Sequence, residues 1–109
     1  MGKTYLGEFE ELILTVVGIL GEEAYGNAIV QEIGERLDRD VSLSAVHVTL
    51  YRLEDKGFVR SSMGGATSER GGRRKRYFQI TNAGIALLRE IRESRLKLWD
   101  LLPQFKFSI

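Results

Sequence analysis

The chain has 109 residues, a hydrophobic fraction of 43%, a charged fraction of 28% and a formal net charge of +1. These values are typical of one soluble globular domain with a modest core, and they exclude a disordered chain. Cysteine is absent, which excludes disulfides, thiolate metal sites and cysteine nucleophiles. No apolar run reaches the roughly 20 residues of a membrane helix. The N-terminus lacks the pattern of a signal peptide, so we expect a cytoplasmic protein without a membrane partner.

Three helices are predicted in the first half of the chain. Apolar residues recur at spacings of three and four in residues 6–20, and acids in the first turn suit the positive end of a helix dipole. A second helix follows, with Asn27 as a candidate N-cap. A third is predicted to begin after an N-cap at Ser42 or Ser44 and to end at Gly57, which suits a C′ position.

The hydrophobic pattern changes after the third helix. Residues 58–62 and 76–80 are short runs rich in aromatic and β-branched residues, separated by a glycine-rich segment, and they predict a β-hairpin with a long loop. A last helix is predicted from a cap at Thr81 or Asn82 to a stop at Pro103. The order α-α-α-β-β-α predicts an α+β fold that is mainly α.

Positive charge is concentrated in the predicted hairpin. Residues 1–57 carry five Lys/Arg against eleven Asp/Glu, whereas residues 58–76 carry six against one. Clustered Arg and Lys attract a polyanion such as duplex DNA, because each neutralised phosphate releases condensed counterions. A solvated loop that only maintains solubility is the alternative. The residues of this cluster that we expect to contact DNA are Arg70, Arg73, Arg74, Lys75 and Arg76.

The second and third helices have the layout of a helix-turn-helix, in which the third would lie in the major groove. A helical projection of the third helix places its apolar residues inward and leaves small side chains outward in the first two turns. Arg52 is the strongest base or phosphate reader on that outward side. The alternatives are that Arg52 pairs with Glu54 or Asp55 and that His47 and Tyr51 are packed against the domain. The residues expected to contact DNA are Ser44, Ala45, His47, Val48, Tyr51 and Arg52.

No catalytic centre is predicted. His47 is the only histidine, which argues against a zinc site and against a Ser-His-Asp arrangement. The pair Gly71-Gly72 lacks the strand-to-helix context and the Lys-Ser/Thr ending of a phosphate-binding loop. We therefore expect a protein that is not an enzyme and that has neither a metal nor a cofactor.

Four segments resemble the PadR family of bacterial transcription regulators. They are residues 12–21, 24–29, 42–59 and 73–84. The most specific part is the segment Leu-x-Arg-Leu-Glu-x-x-Gly at 50–57. It is followed, after the glycine-rich loop, by a basic cluster, an aromatic strand and a Thr-x-x-Gly helix start.

The resemblance covers roughly residues 6–90 and implies a winged helix-turn-helix fold. It implies that residues 42–56 form the recognition helix, that residues 63–75 form the wing, and that the C-terminal helix pairs two subunits. The chain departs from the family pattern where many members carry Tyr at the position of His47 and Pro at that of Val48.

The last helix carries an apolar stripe that is longer than a small domain covers alone, as is typical of a partner surface. We expect one compact unit in which residues 1–82 form the DNA-binding domain and residues 83–109 form a dimerisation helix and tail. Symmetric pairing would match a pseudo-palindromic operator with half-sites about one DNA turn apart. Trp99 and Phe105 either seal this interface or bind a small hydrophobic or aromatic effector. The predicted interface residues are Leu88, Ile91, Arg95, Leu98, Trp99 and Leu102.

The sequence thus predicts a dimeric, sequence-specific DNA-binding transcription regulator. Repression is expected, because short regulators without an activation domain typically act by occluding promoter DNA. The alternative is a winged-helix protein–protein interaction module whose basic wing docks on an acidic partner. Asp55 and the single arginine on the outward side of the third helix keep that alternative open.

Overall fold

The computed structural model describes residues 6–64 and 74–103, in which four α-helices accompany one two-stranded antiparallel sheet. The predicted fold class and element order are confirmed. Arg70, Arg73 and Phe105 lie outside the described residues. The elements in chain order are α1 (Glu8–Leu20), a 3-10 turn (Gly21–Glu23), α2 (Gly26–Leu37), α3 (Leu43–Asp55), β1 (Val59–Met63), β2 (Arg76–Ile80) and α4 (Asn82–Leu101).

Local capping explains where α3 and α4 begin and where α3 ends. Ser42 Oγ accepts a hydrogen bond of 3.1 Å from Ala45 N, and Thr81 Oγ1 accepts one of 3.1 Å from Gly84 N. Ser42 and Thr81 are therefore the N-caps among the candidates that the sequence offered. Gly57 adopts a left-handed φ of 85° directly after the C-cap of α3, which confirms its predicted position.

The boundaries of α1, α2 and β1 differ slightly from the prediction. The predicted N-cap at Asn27 was wrong: α2 begins at Gly26, after an extended Tyr25 whose carbonyl oxygen accepts a hydrogen bond of 3.0 Å from Ile29 N. Helix α1 begins two residues later than predicted, because Glu10 Oε1 accepts a 3.1 Å hydrogen bond from Gly7 N and fixes the first turn there. Strand β1 is one residue later than predicted.

The core lies between the three N-terminal helices and one face of the sheet. Apolar residues spaced three and four apart place one side of each helix in the core. Because side chains alternate between the two faces of a strand, each strand also contributes a side chain to the core. Burial of each such side chain stabilises the fold by about 1.5 to 3 kcal/mol. The most deeply buried side chains are Ile13, Leu14, Val17, Ile29, Ile33, Val46, Leu50, Leu53, Val59 and Phe78.

The sheet is attached to the turn that precedes α2. Strands β1 and β2 pair with Val59 opposite Ile80 and Ser61 opposite Phe78. Beyond this pairing, Phe78 N donates a 2.8 Å hydrogen bond to Ala24 O, next to an antiparallel bridge between Tyr25 and Tyr77. These main-chain contacts fix the hairpin in a defined position relative to the helix-turn-helix.

Helix α4 is anchored at its start and leaves most of its length uncovered. Thr81 holds the start through hydrogen bonds to the carbonyl oxygens of Gly57 at 2.7 Å and Phe58 at 3.0 Å. Gly84 and Leu87 are the residues of α4 that are buried, and every side chain from 92 to 101 is exposed. None of the helices in the described ranges is long and apolar enough to cross a membrane.

Candidate nucleic-acid interface

The first two turns of α3 present small side chains to solvent. Ser44, Ala45 and Val48 are exposed, and the Val48 side chain retains 52% of its accessible surface. Their spacing of one, three and four residues places them on one side of the helix. The outward position of these small side chains agrees with the helical projection of the sequence, and their contact with DNA remains a prediction.

His47 and Tyr51 are in contact with the rest of the domain. His47 is half-buried, and its imidazole packs with Leu43 against Gly26, where there is no room for a Cβ atom. The ring of Tyr51 makes an edge contact with Phe78 at a centroid distance of 5.9 Å. His47 and Tyr51 were predicted either to contact DNA or to pack against the domain. This geometry favours packing for His47. Tyr51 packs on one edge only and stays 45% exposed.

Arg52 is exposed, and within the described part of the chain no ion pair joins it to Glu54 or Asp55. Glu54 instead accepts hydrogen bonds from Ser61 N at 3.2 Å and from Ser61 Oγ at 2.7 Å. The guanidinium lies close enough to α1 for its charge to help lower the pKa of Glu10. Arg52 thus lies in the last turn of α3, on the side of the helix nearest α1.

The described cations at the loop end of the hairpin are exposed, and two of them have defined contacts. Lys75 Nζ lies 4.2 Å from the centroid of the Tyr25 ring, a cation–π contact. Arg76 Nη1 donates a 2.9 Å hydrogen bond to Ser61 Oγ, the same hydroxyl that donates to Glu54. Together with exposed Arg74, these residues form what we call the wing-root cluster, Arg74 to Arg76.

Arg60 is a candidate that the sequence reasoning omitted. It is exposed on β1, opposite Gln79 and on the other face of the strand from Ser61. The signal was present in the sequence, because strand alternation after buried Val59 directs the next side chain outward. Arg60 therefore adds a cation to the hairpin on the face opposite to the one that carries Arg76.

Acidic residues in the first turn of α1 are paired with cations from three other parts of the fold. The hydrogen bond from Arg39 lowers the pKa of Glu8. Partial burial raises the pKa of Glu10, but hydrogen bonds from Lys56 and Gly7 and the nearby cations leave this pKa below its usual value. The pairs tie α1 to its neighbours: Glu8–Arg39 at 2.8 Å, Glu10–Lys56 at 2.9 Å and Glu11–Arg95 at 2.9 Å.

A largely apolar groove separates α1 from α4. One cavity of about 420 Å³ brings together four of the predicted interface residues, and α1 closes its other side with Glu11 and Thr15. Arg95 spans the groove through its ion pair with Glu11. Leu98 and Leu102 are exposed and do not line this cavity. The four residues in the groove are Leu88, Ile91, Arg95 and Trp99.

Acidic and histidine side chains do not converge in the part of the chain that the structure describes. Across residues 6–64 and 74–103, no three of them lie close enough together to hold a metal ion.

The chain is similar to known proteins both in sequence family and in fold. The model of the family described as "Transcriptional regulator PadR-like family" matches residues 13–90. An uncharacterized protein of Lysinibacillus sphaericus is 29% identical over 101 residues, which cover 91% of this chain and 88% of that protein.

Two solved structures illustrate the similarity of fold. A PadR-like transcription factor of Bacteroides fragilis superposes with a TM-score of 0.70 at 24% identity and covers 84% of each chain. A PadR family transcriptional regulator of Eggerthella lenta superposes with a TM-score of 0.67 at 25% identity, over 85% of this chain and 80% of that one. The helix-turn-helix, the hairpin and the start of α4 all lie within the matched family segment.

Proposed function

This chain belongs to the PadR-like family of transcriptional regulators, and we propose that it binds a pseudo-palindromic operator as a homodimer and represses transcription. Membership of the family makes it a DNA-binding transcription regulator and not an enzyme. The wing-root cluster is the main observation that supports operator binding. Tyr25 and Ser61 orient two of its side chains, and the cluster lies beside a helix, α3, whose outward face carries small side chains.

The wing-root cluster supplies affinity in this proposal. Arg74, Lys75 and Arg76 contact phosphates or a narrow minor groove, where cationic side chains are electrostatically favoured. The hydrogen bond from Arg76 to Ser61 and the contact of Lys75 with Tyr25 lower the entropy that these side chains lose on binding. In this proposal, the residues on the outward face of α3 determine which DNA sequence the protein prefers.

The uncovered apolar side chains of α4 support the homodimer. Leu98 and Leu101 retain 66% and 80% of their accessible surface, and Leu102 retains 45%. An exposed stripe of this size on a helix typically marks a partner surface. A second copy of the chain is the partner we propose, because a two-fold dimer presents two recognition helices to two half-sites.

Repression is the mode of action that we propose. A dimer that covers two half-sites occupies the duplex from which RNA polymerase would otherwise start. Transcription from the chain's own upstream promoter in a purified system should fall as the protein is added. An increase would mean that the protein activates.

Trp99 is the point at which we propose that a flat aromatic effector stacks. Its ring is largely exposed at the edge of the groove between α1 and α4, and Leu88 and Ile91 supply apolar walls. Because Trp99 is the single tryptophan of the chain, its fluorescence reports directly on this groove. Saturable quenching by members of a panel of aromatic compounds supports an effector site, and an unchanged signal across the panel opposes it.

Fluorescence anisotropy with labelled duplexes tests DNA binding itself. The probe is the intergenic DNA upstream of the chain's own gene, and the control is an unrelated duplex of equal length and base composition. We expect the upstream duplex to bind at least about a thousand-fold more tightly at physiological salt. Equal, weak binding of both duplexes would oppose the proposal. It would favour the alternative of an acidic protein partner for the basic hairpin.

A further inference from the structure

Val48 is a branched apolar side chain at the centre of the face that would meet DNA. It retains 52% of its accessible surface, between exposed Ser44 and Ala45 one turn earlier and exposed Arg52 one turn later. We propose that Val48 reads the 5-methyl group of a thymine in each half-site of the operator. This proposal rests on the proposed function, because it requires α3 to lie in a major groove.

The longer polar side chains of α3 either pack on the domain or lie beyond its first two turns. His47 packs against Gly26, and Tyr51 makes an edge contact with Phe78. Arg52 is exposed and lies in the last turn of α3, on the side nearest Glu10 of α1. The N-terminal turns of a recognition helix are the part that reaches base edges. In α3 those turns offer one hydroxyl and two apolar side chains, from Ser44, Ala45 and Val48.

Thymine is the base that presents an apolar group in the major groove. Adenine, guanine and cytosine display only hydrogen-bond donors and acceptors at the corresponding edges, whereas thymine adds its C5-methyl group beside the O4 acceptor. Val48 Cγ atoms can pack on this methyl group. Ser44, on the same side of the helix, can donate to O4 or to a neighbouring acceptor.

The charge around this face favours duplex DNA over an apolar protein partner. The cations of the wing-root cluster are exposed on the hairpin that packs against α3. The acids of the first turn of α1 are paired with Arg39, Lys56 and Arg95, so they repel phosphates less than free carboxylates would. An apolar side chain next to a cationic surface fits a polyanion whose groove contains methyl groups.

Uracil substitution tests the proposal with a change of one methyl group on the DNA. A duplex is first selected from a random library by the wild-type protein, and its half-site thymines are then replaced one at a time by deoxyuridine. Loss of one methyl contact in both half-sites should weaken wild-type binding about ten- to twenty-fold, or about four-fold for a single half-site. The same substitution should weaken Val48→Ala less than two-fold, because the side chain that packs on the methyl group is absent.

Two controls keep the result specific. Leu37→Ala removes a similarly exposed apolar side chain from the end of α2 and should retain the full sensitivity to uracil. Val48→Ala should unfold at nearly the same urea concentration as the wild type, because the Val48 side chain is exposed and outside the core. An unchanged denaturation curve shows that the variant is folded.

The outcomes separate this inference from the function on which it rests. If the library yields no preferred duplex, sequence-specific binding fails and this inference fails with it. If a duplex is selected but contains no thymine in its half-sites, or if uracil leaves wild-type affinity unchanged, only the role of Val48 is overturned. Equal sensitivity of the wild type and Val48→Ala to uracil also overturns it, since another residue would then contact the methyl group.

Discussion

At the scale of single residues, Gly84 lies against the carbonyl oxygen of Phe58 and the side chain of Ile80, where there is no room for a Cβ atom. We expect Gly84→Ala to lower the free energy of unfolding by about 1 to 3 kcal/mol, because either the helix or the backbone turn must shift. Gly34 on α2 has open space for a methyl group beyond ordinary contact with Arg39 O at 3.9 Å. Gly34→Ala should therefore raise this free energy by about 0.5 to 1 kcal/mol. Urea denaturation measures both, and equal effects of the two changes would contradict the tight contact at Gly84.

Glu10 makes the free energy of unfolding depend on pH. Its pKa in the folded protein is lowered, so its contribution is fully present above the unfolded pKa and is lost as the pH falls through the folded pKa. Glu10→Gln keeps an oxygen acceptor for Gly7 N and removes the charge that pairs with Lys56. We expect it to lower the free energy of unfolding by about 0.5 kcal/mol at pH 7, and this difference should disappear as the pH falls through the folded pKa of Glu10.

Denaturation of the wild type and Glu10→Gln between pH 7 and pH 3 checks this dependence. Glu22→Gln, at an exposed position of the 3-10 turn, is the matched control and should leave the curve close to that of the wild type. A constant difference between the wild type and Glu10→Gln at every pH would show that the ion pair with Lys56 does not contribute.

At the scale of secondary-structure elements, the wing-root cluster accounts for non-specific affinity. Replacing Arg74 and Lys75 by Ala should weaken binding to all duplexes by a similar factor and reduce the slope of log K against log salt by roughly one unit per lost contact. Arg36→Ala, which removes a cation from the last turn of α2, is the control. Anisotropy titrations at salt concentrations from about 50 to about 200 mM measure this slope. An unchanged slope in the double variant would remove the wing-root cluster from the interface.

The helices and strands could be predicted from local sequence rules, whereas the way they are arranged relative to one another could not. Ser42, Gly57 and Thr81 were predictable because caps and left-handed C′ positions depend on residues within one turn. The bridge between Tyr25 and Tyr77 joins distant parts of the chain, and no spacing in the sequence encodes it. The orientation of Lys75 and Arg76 depends on such contacts, so the cluster could be predicted while its positioning could not.

At the scale of the whole molecule, the exposed side of α4 predicts self-association. We expect Leu98→Glu to convert a dimer into a monomer near 12.4 kDa, because a charge in an apolar interface would have to be desolvated. Lys97→Glu is the control, since helical spacing places residue 97 on the opposite side of α4 from Leu88 and Arg95. Sedimentation velocity at micromolar concentration distinguishes the two species. A wild type that sediments only as a monomer would exclude the homodimer.

Footprinting of the upstream DNA with hydroxyl radicals tests the central claim most directly, because it reports the number, spacing and symmetry of the contacts in one experiment. A dimer with one recognition helix in each half-site should protect two segments related by a two-fold axis, with centres about 10 to 10.5 base pairs apart or a multiple of that spacing. Each protected segment should extend toward the flank contacted by the wing-root cluster. Uniform weak protection, or protection of one isolated segment, would contradict sequence-specific binding by a symmetric dimer.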